Sequence, residues 1–393
     1  MTSVLPLRVL FLVEGEPLRG LSGPARFRVY QLVPWLERLG IQCDVRPSRP
    51  PKYILARDGV ARRLRGRPWL TGAALMAASA AMTLMRWPDV RAASRYDVVV
   101  LQRDLLPFRT VPPFLERAAA RRNPRVVFDF DDAIFTWPGR TPPVHARRHW
   151  WRDQDKIGHV IAACRHVIAG NAMLASFASG WNPRVSIVPT TVDLEFYTPR
   201  PPARDVSPVT IGWSGTSGNL GYLQAIAPAL RAAHRVHPIR LLIVCNRHSV
   251  PLDFGGVPVE QVEWTLQGEV PALHRMDIGL MPLPDDEWAR GKCGFKAIQY
   301  MACEVPAIVS PVGVNAQLVA DDVSGLHATT IEEWTRAVTT LSASPALRRR
   351  LGEQGRRGVA REFSAQTWAG QLAAILREVA ADRDQPAAAG GVT

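Results

Sequence analysis

The chain has 393 residues, of which 47% are hydrophobic and 21% charged, and a formal net charge of +13. It is too long for one ordinary core and suits two domains of roughly 150 to 200 residues each, and its composition excludes a disordered or fibrous chain. Five cysteines (Cys43, Cys164, Cys245, Cys293, Cys303) without CxxC or His-paired spacing argue against a disulfide framework and a zinc site and point to a reducing compartment.

The excess of positive charge calls for an anionic partner, whether nucleic acid, an anionic membrane face or a diphosphate substrate. Basic residues are spread along the chain and no nucleic-acid module is recognisable, so nucleic acid is not expected. Only four of the 48 basic residues are lysines, Lys52, Lys156, Lys292 and Lys296. Two of them stand four positions apart in GKCGFK. Lysine offers a compact, movable charge where arginine offers a planar fork, so this pair reads as required by chemistry; the plain alternative is chance or one exposed helix start.

The opening MTSVLPLRVLFLVEG lacks a basic n-region and a cleavage site, and its apolar run is too short for a membrane span. We read it as the first β-strand of a cytoplasmic protein. A Gly-rich turn follows, then the amphipathic stretch ARFRVYQLVPWLERLG, closed by Gly40. IQCDVRP, DVVVLQR, RVVFDFDD, HVIAG and RVSIVPT repeat the strand pattern with helical segments between most of them. Near-continuous apolar strands of this kind indicate a parallel sheet covered on both faces. One segment departs from the pattern. RRLRGRPWLTGAALMAASAAMTLMR (Arg62 to Arg86) has an apolar core from Trp69 to Met85 behind four arginines. It fits a helix lying in an anionic membrane face and equally a buried helix of the first domain.

The α/β pattern restarts at VTIGWSG (Val209 to Gly215). A helix-like run from Leu220 to about Arg235 comes next, then IRLLIVCN, VEWTL, DIGLMPLP and PAIVSPVG. The fold class expected is therefore α/β, with two Rossmann-like doubly wound domains facing across a cleft. The expected domains are 1–195, binding the acceptor, and 209–362, binding the donor. Between them lies a Pro-rich linker over 196–208, with Pro199, Pro201 and Pro202. A helix over 363–382 follows, and a disordered tail over 383–393.

Ligands of such proteins bind beyond the carboxyl ends of the strands, and four strand-to-helix turns are candidates. EGEPLRGLSGPARFR offers Ser22, Gly23 and Arg26, with Arg28 beyond, as an acceptor- or phosphate-facing helix start; its spacing is not GxGxxG, and an ordinary capped helix explains it as well. RVVFDFDDAIF places Asp129, Asp131 and Asp132 at a strand end. Three carboxylates in four positions are costly to bury together, so some should face a cleft. They fit a DxD-like metal site, the nucleophile motif of a haloacid-dehalogenase-like phosphohydrolase, an acceptor-orienting group or a solvated strand end. The phosphohydrolase reading is the weaker, because Asp132 and Ala133 follow where Gly-Thr belongs. IGWSGTSGN offers Ser214, Gly215 and Thr216 to a phosphate before a helix. LPDDEWARGKCGFKAIQYMACEVPAIVS carries Asp285, Asp286 and Glu287, then Lys292, Gly294, Lys296 and Gln299. A helix start with two lysines suits a diphosphate leaving group, and Gln299 suits a ribose.

These segments together resemble the family 4 retaining glycosyltransferases of GT-B fold. FKAIQYMACEVPAIVSPVGVN is similar to that family's stretch around its second conserved glutamate, IVPTTVDLEFYTP to its interdomain segment, and HVIAGNAMLASFA to the strand and helix before it. RVVFDFDDAIF falls where the family often has His-Asp. The family's Glu-x7-Glu motif maps onto Gly291 and Gln299, so neither glutamate is present and the chain reads as a variant branch. Asp286 or Glu287 stands in for the first. The resemblance implies sugar transfer from a nucleotide sugar to a hydroxyl acceptor (a glycan, a lipid-linked sugar or a natural product), with retention of configuration and no cofactor or metal. Asp131, Asp132 and Glu287 are the expected catalytic residues. Ser214, Gly215, Thr216, Lys292, Gly294, Lys296 and Gln299 are the expected donor ligands.

Overall fold

The computed structural model describes residues 6–16, 23–48, 68–106, 111–136, 155–201, 207–246 and 252–382. Ser22, the arginines of 62–67 and the tail 383–393 lie outside the described residues. The chain divides into two compact units, Met1–Pro189 with Trp368–Thr393, and Thr190–Thr367.

The first unit is built on six parallel strands: β1 (Leu7–Val13), β2 (Ile41–Pro47), β3 (Val98–Gln102), β4 (Val126–Phe130), β5 (His166–Ala169) and β6 (Val185–Ile187). Their spatial order is β2-β1-β3-β4-β5-β6. Every residue of β3, β4 and β5 is buried, whereas the edge strands β2 and β6 are mostly half-buried. This is the burial expected of Val/Ile/Leu-rich strands covered on both faces. Each fully buried side chain of this kind contributes roughly 1.5–3 kcal/mol. The order reverses between β1 and β3, which makes their carboxyl ends the switch point of this sheet. The final helix, Ala365–Ala381, belongs to this unit from Trp368 onward. Arg377 donates to the Leu39 carbonyl, and Asp382 accepts from Arg165 and Arg184.

The second unit repeats the plan with β7 (Val209–Gly215), β8 (Ile239–Cys245), β9 (Val259–Glu263), β10 (Ile278–Met281), β11 (Ala307–Val309) and β12 (Gly325–His327). Their order is β12-β11-β10-β7-β8-β9, so the switch point lies between β7 and β10. Trp213 and Trp334 are the largest side chains of its core and are both 1% exposed. Helices Ala227–Val236 and Ile331–Ala343 pack on each other. The second is started by a capping box in which Thr330 and Glu333 satisfy each other's backbone amides.

Some elements differ from the sequence expectation. The run Leu220–Arg235 is two helices, Leu220–Ala225 and Ala227–Val236, because Pro228 occupies the first turn of the second and cannot continue the first. The stretch after the first Gly-rich turn is likewise broken into Gly23–Ala25, a π-turn over Arg26–Tyr30 and Val33–Arg38, with Pro34 at the last helix start. The strand expected at VEWTL lies three residues earlier as β9, at the sheet edge. β12 is a three-residue strand with no apolar run to announce it. The helix expected within Arg62–Arg86 spans Pro68–Ala92 and carries Pro88 inside it. Among the described residues, no helix is long and apolar enough to cross a membrane.

Candidate functional site

At the switch point of the first unit, charge is concentrated and paired. Asp129 is the penultimate residue of β4, and Asp131 and Asp132 follow the strand. Arg28 binds Asp129 through two nitrogens, its Nε at 3.1 Å, while its Nη1 donates to the Val188 carbonyl at 2.5 Å. Arg103, just past β3, donates from Nη2 to Asp131 and to Asp132, both at 2.6 Å, and from Nε to Asp131 at 2.9 Å. Its Nη1 lies 3.8 Å from Glu14 at the end of β1. Next to it Lys156 binds Asp104 at 2.6 Å and the Leu106 carbonyl at 2.8 Å, and is 1% exposed.

Two of the three carboxylates expected to need a cleft are enclosed, and Asp132 is the more exposed one. Asp129 and Asp131 are buried, and the cost is offset by arginines from the first helical turn and from β3. Arg28, grouped with Arg26 as an anion-facing residue, is the counter-ion of Asp129. Arg26 is 9% exposed, with its guanidinium 4.7 Å from the Phe27 ring centroid. Gly23 opens the short helix that carries both arginines into the unit. Burial pushes the Asp131 carboxyl above the ordinary aspartate range, Arg103 opposes the shift and Asp132 adds to it. Arg103 holds φ at 60°, a left-handed backbone that is costly for a side chain of its size. Its guanidinium is fixed by carboxylates from two other strands. Neither Arg103 nor Glu14 was a sequence candidate, although the strand-end rule applied to β1, β4, β7 and β10 points to Gln102-Arg103-Asp104 as well. With guanidinium groups on all three aspartates, the arrangement favours hydroxyl or ion-pair chemistry over the phosphohydrolase reading. Among the described residues no group of three His, Cys, Asp or Glu side chains is placed to hold a metal ion.

The second unit's switch point is built differently. β7 ends at Ser214 and Gly215, and Lys296 in the first turn of helix Phe295–Ala302 reaches it. A Cβ on Gly215 would lie 2.7 Å from Lys296 Cε, so the lysine stem runs along a strand end that has no side chain. Its Nζ lies 5.6 Å from the Trp213 ring centroid. Lys292 is half-buried, its Nζ 4.9 Å from the Trp288 ring centroid. Gly294 begins the helix at φ 68°, which favours glycine, and Leu318 Cδ2 stands 2.6 Å from where its Cβ would be. The structure therefore brings Gly215, Lys296 and Gly294 to one end of the sheet.

Other donor-site expectations change. The Ser214 amide donates at 2.8 Å to the Tyr300 hydroxyl, which donates to the Leu280 carbonyl at 3.3 Å. Burial raises the Tyr300 phenol, which keeps that proton in place. The Ser217 amide is held by Asn246 and the Thr216 hydroxyl by Asn219, so much of this loop's polarity serves its own shape. Asp286 caps helix Glu287–Arg290 by accepting from the Ala289 amide at 2.7 Å, and Asp285 pairs with Arg290 at 2.6 Å. The acidic run thus builds a helix start, with Glu287 exposed in its first turn. Gln299 is 3% exposed, and its amide nitrogen donates to Tyr197 and Glu269 inside the unit. Gln299, expected to suit a ribose, thus has its amide nitrogen engaged inside the unit. Tyr197 and Glu269 carried no sequence signal; a glutamine where the resemblance places a glutamate was the available hint of a nearby carboxylate.

Residues 211–344 match the family model described as Glycosyl transferases group 1. No curated protein matches the chain. Among solved structures it is similar to a sucrose-phosphate synthase from Thermosynechococcus elongatus, with a TM-score of 0.64 and 16% identity over 95% of this chain and 99% of that one. It is also similar to the Anabaena protein HepE in complex with UDP and glucose, with a TM-score of 0.61 and 14% identity over 95% and 100% of the two chains. A glycosyltransferase from Rickettsia africae gives 0.59 and 12% over 96% and 100%. At these identities the structural likeness establishes the fold, two parallel α/β sheets as in GT-B glycosyltransferases, and the stretch 211–344 of the second unit is similar to the group 1 glycosyl transferases.

Proposed function

We propose that the chain transfers a hexose from a uridine diphosphate sugar to a hydroxyl acceptor, with retention of configuration and without a resident metal or cofactor. The observation that carries the donor assignment is Lys296 lying along Gly215 at the switch point of the unit that matches the family. An ammonium there neutralises charge building on the leaving diphosphate, the electrostatic task in breaking a glycosyl–phosphate bond. Lys292 and the start of helix Phe295–Ala302 add positive potential. HepE, similar in fold, is described in complex with UDP-glucose, which supports the choice of nucleotide. On the acceptor side Asp132, less buried than Asp131 and anchored by Arg103, is the carboxylate we assign to the acceptor hydroxyl. Turnover of a panel of nucleotide sugars, with and without EDTA, tests this reading. UDP-sugar hydrolysis or transfer insensitive to EDTA is expected; activity that requires a divalent ion, or that ignores UDP-sugars, overturns it.

For location, the reading is a cytoplasmic enzyme at an anionic membrane face. Leu84 and Met85, 75% and 59% exposed on helix Pro68–Ala92, support it, since large apolar side chains in that position suit a lipid boundary. Flotation with anionic liposomes should fall when both are replaced by serine. Equal recovery of the wild type and the variant would refute it.

A further inference from the structure

Gln299 donates from its amide nitrogen to Glu269 Oε1 at 2.8 Å and to the Tyr197 hydroxyl at 2.9 Å. Tyr197 in turn donates to Glu269 Oε2 at 2.8 Å, and the Trp264 indole donates to Oε1 at 3.0 Å. Glu269 is 4% exposed and Tyr197 1%. A carboxylate this deep is tolerated because donors converge on both of its oxygens and because it opens helix Glu269–His274, where the dipole favours negative charge. The four residues come from four separate stretches of the second unit. Tyr197 precedes β7, Trp264 follows β9, and Gln299 stands in the middle of helix Phe295–Ala302.

That helix is the one whose first turn presents Lys296. It is held at its centre by Gln299. At its last residue Arg356 donates to the Ala302 carbonyl and also, at 2.7 Å, to the Tyr197 carbonyl. Tyr197 therefore ties both fixings together. Lys296 lies one turn before Gln299 and passes Gly215 with no slack, so a small shift of the helix axis moves the ammonium off the strand end.

We propose that Glu269 is the positioning residue of the donor-site helix, acting through Gln299 and Tyr197, and that residue 299 must be neutral because its partner carboxylate is already in place. This rests on the donor role of Lys296. A glutamate at 299 would face Glu269 at hydrogen-bond distance, where both cannot stay ionised. The other charged or titratable groups around the pair are Tyr197, Arg356, Glu304 and Cys303, whose thiol is pushed up to about 12 by burial.

The test is calorimetric titration of the full chain with UDP, together with melting temperatures, for the wild type, Gln299→Glu, Glu269→Gln and the exchanged double variant. Gln299→Glu should weaken UDP binding roughly tenfold or more at about pH 8 and regain part of it at about pH 6, as the pair takes up one proton. Glu269→Gln alone should also weaken binding, and the exchanged pair should return to within a few-fold of the wild type, which mere loss of packing would not allow. Unchanged or tighter binding by Gln299→Glu at both pH values would place residue 299 against the nucleotide and overturn the proposal. So would an exchanged variant no better than the worse single one. A wild type that binds no UDP fails the donor reading instead, and the same pattern in melting temperature still decides the pairing.

Discussion

The two sheets are both six-stranded and parallel and each reverses its strand order beside its first strand, after one strand in the first unit and after two in the second, yet their carboxyl ends are furnished in opposite ways. In the first unit Glu14, Arg28, Arg103, Asp104, Asp129, Asp131, Asp132 and Lys156 crowd the ends of β1, β3 and β4 as a paired, largely buried network. In the second, small residues end β7 and one lysine stem lies across them. A paired network can hold fixed hydrogen-bonding groups toward a neutral hydroxyl, and its carboxylates outnumber its cations, so it does not favour an anion. A strand end without a side chain, with a lysine packed along it, instead places a cation against bare backbone, where it can meet an anionic group. Two parallel sheets with a switch point beside their first strand thus end in one paired network and in one glycine strand end crossed by a lysine, a contrast that fits the proposed acceptor and donor roles.

The largest effect that would break this contrast lies in the first unit. Arg28→Ala leaves Asp129 buried without its bidentate partner, and removal of one member of a buried pair costs about 3–5 kcal/mol. Urea unfolding should show a loss of that order, while UDP affinity in the remaining folded protein stays unchanged. Lys296→Ala should do the opposite. UDP affinity measured by calorimetry should fall by about 30- to 100-fold, or about 2–3 kcal/mol, with the unfolding midpoint hardly moved. Retained affinity in that variant would remove Lys296 from the donor site. A large unfolding shift would show that it is a structural cation after all.

Much of the fold was legible because buried parallel strands are written as apolar runs, and LRVLFLV, DVVVLQR, VTIGWSG and IRLLIVC all became strands. β12 was not legible, since three residues at a sheet edge carry no pattern. The placement of the candidate residues was legible where backbone and spacing decide, since Gly294, Lys296 and the strand end at Gly215 do come to one end of the sheet. It was illegible where pairing decides. Nothing local to DFDD reveals that Arg28, 101 residues before Asp129, neutralises it. Likewise nothing around Gln299 reveals Tyr197, 102 residues earlier. Partners at that separation are set by the tertiary fold, so residue type alone could not show that the Gln299 amide nitrogen is engaged in the interior.

Smaller perturbations sharpen the contrast. Gly215→Ala puts a methyl group where the Lys296 stem passes, 2.7 Å from its Cε and 2.8 Å from the Trp213 ring. The lysine can swing aside but the buried Trp213 ring must shift, so stability should fall by about 1–3 kcal/mol while UDP affinity drops by roughly tenfold. Asp131→Asn probes the first unit at the level of a single proton. Its folded-state pKa is raised above the unfolded value, chiefly by burial, so between those two values the native state binds more protons than the unfolded one. Stability from this group is therefore present at acid pH and lost as pH rises from about 4 through the raised pKa. Asparagine carries no such proton. The variant should unfold with a shallower decline over that interval and differ from the wild type by less than about 1 kcal/mol at neutral pH, because Arg103 keeps Asp132 and Glu14 as partners. Parallel pH profiles for the two proteins would mean that Arg103 outweighs burial at Asp131.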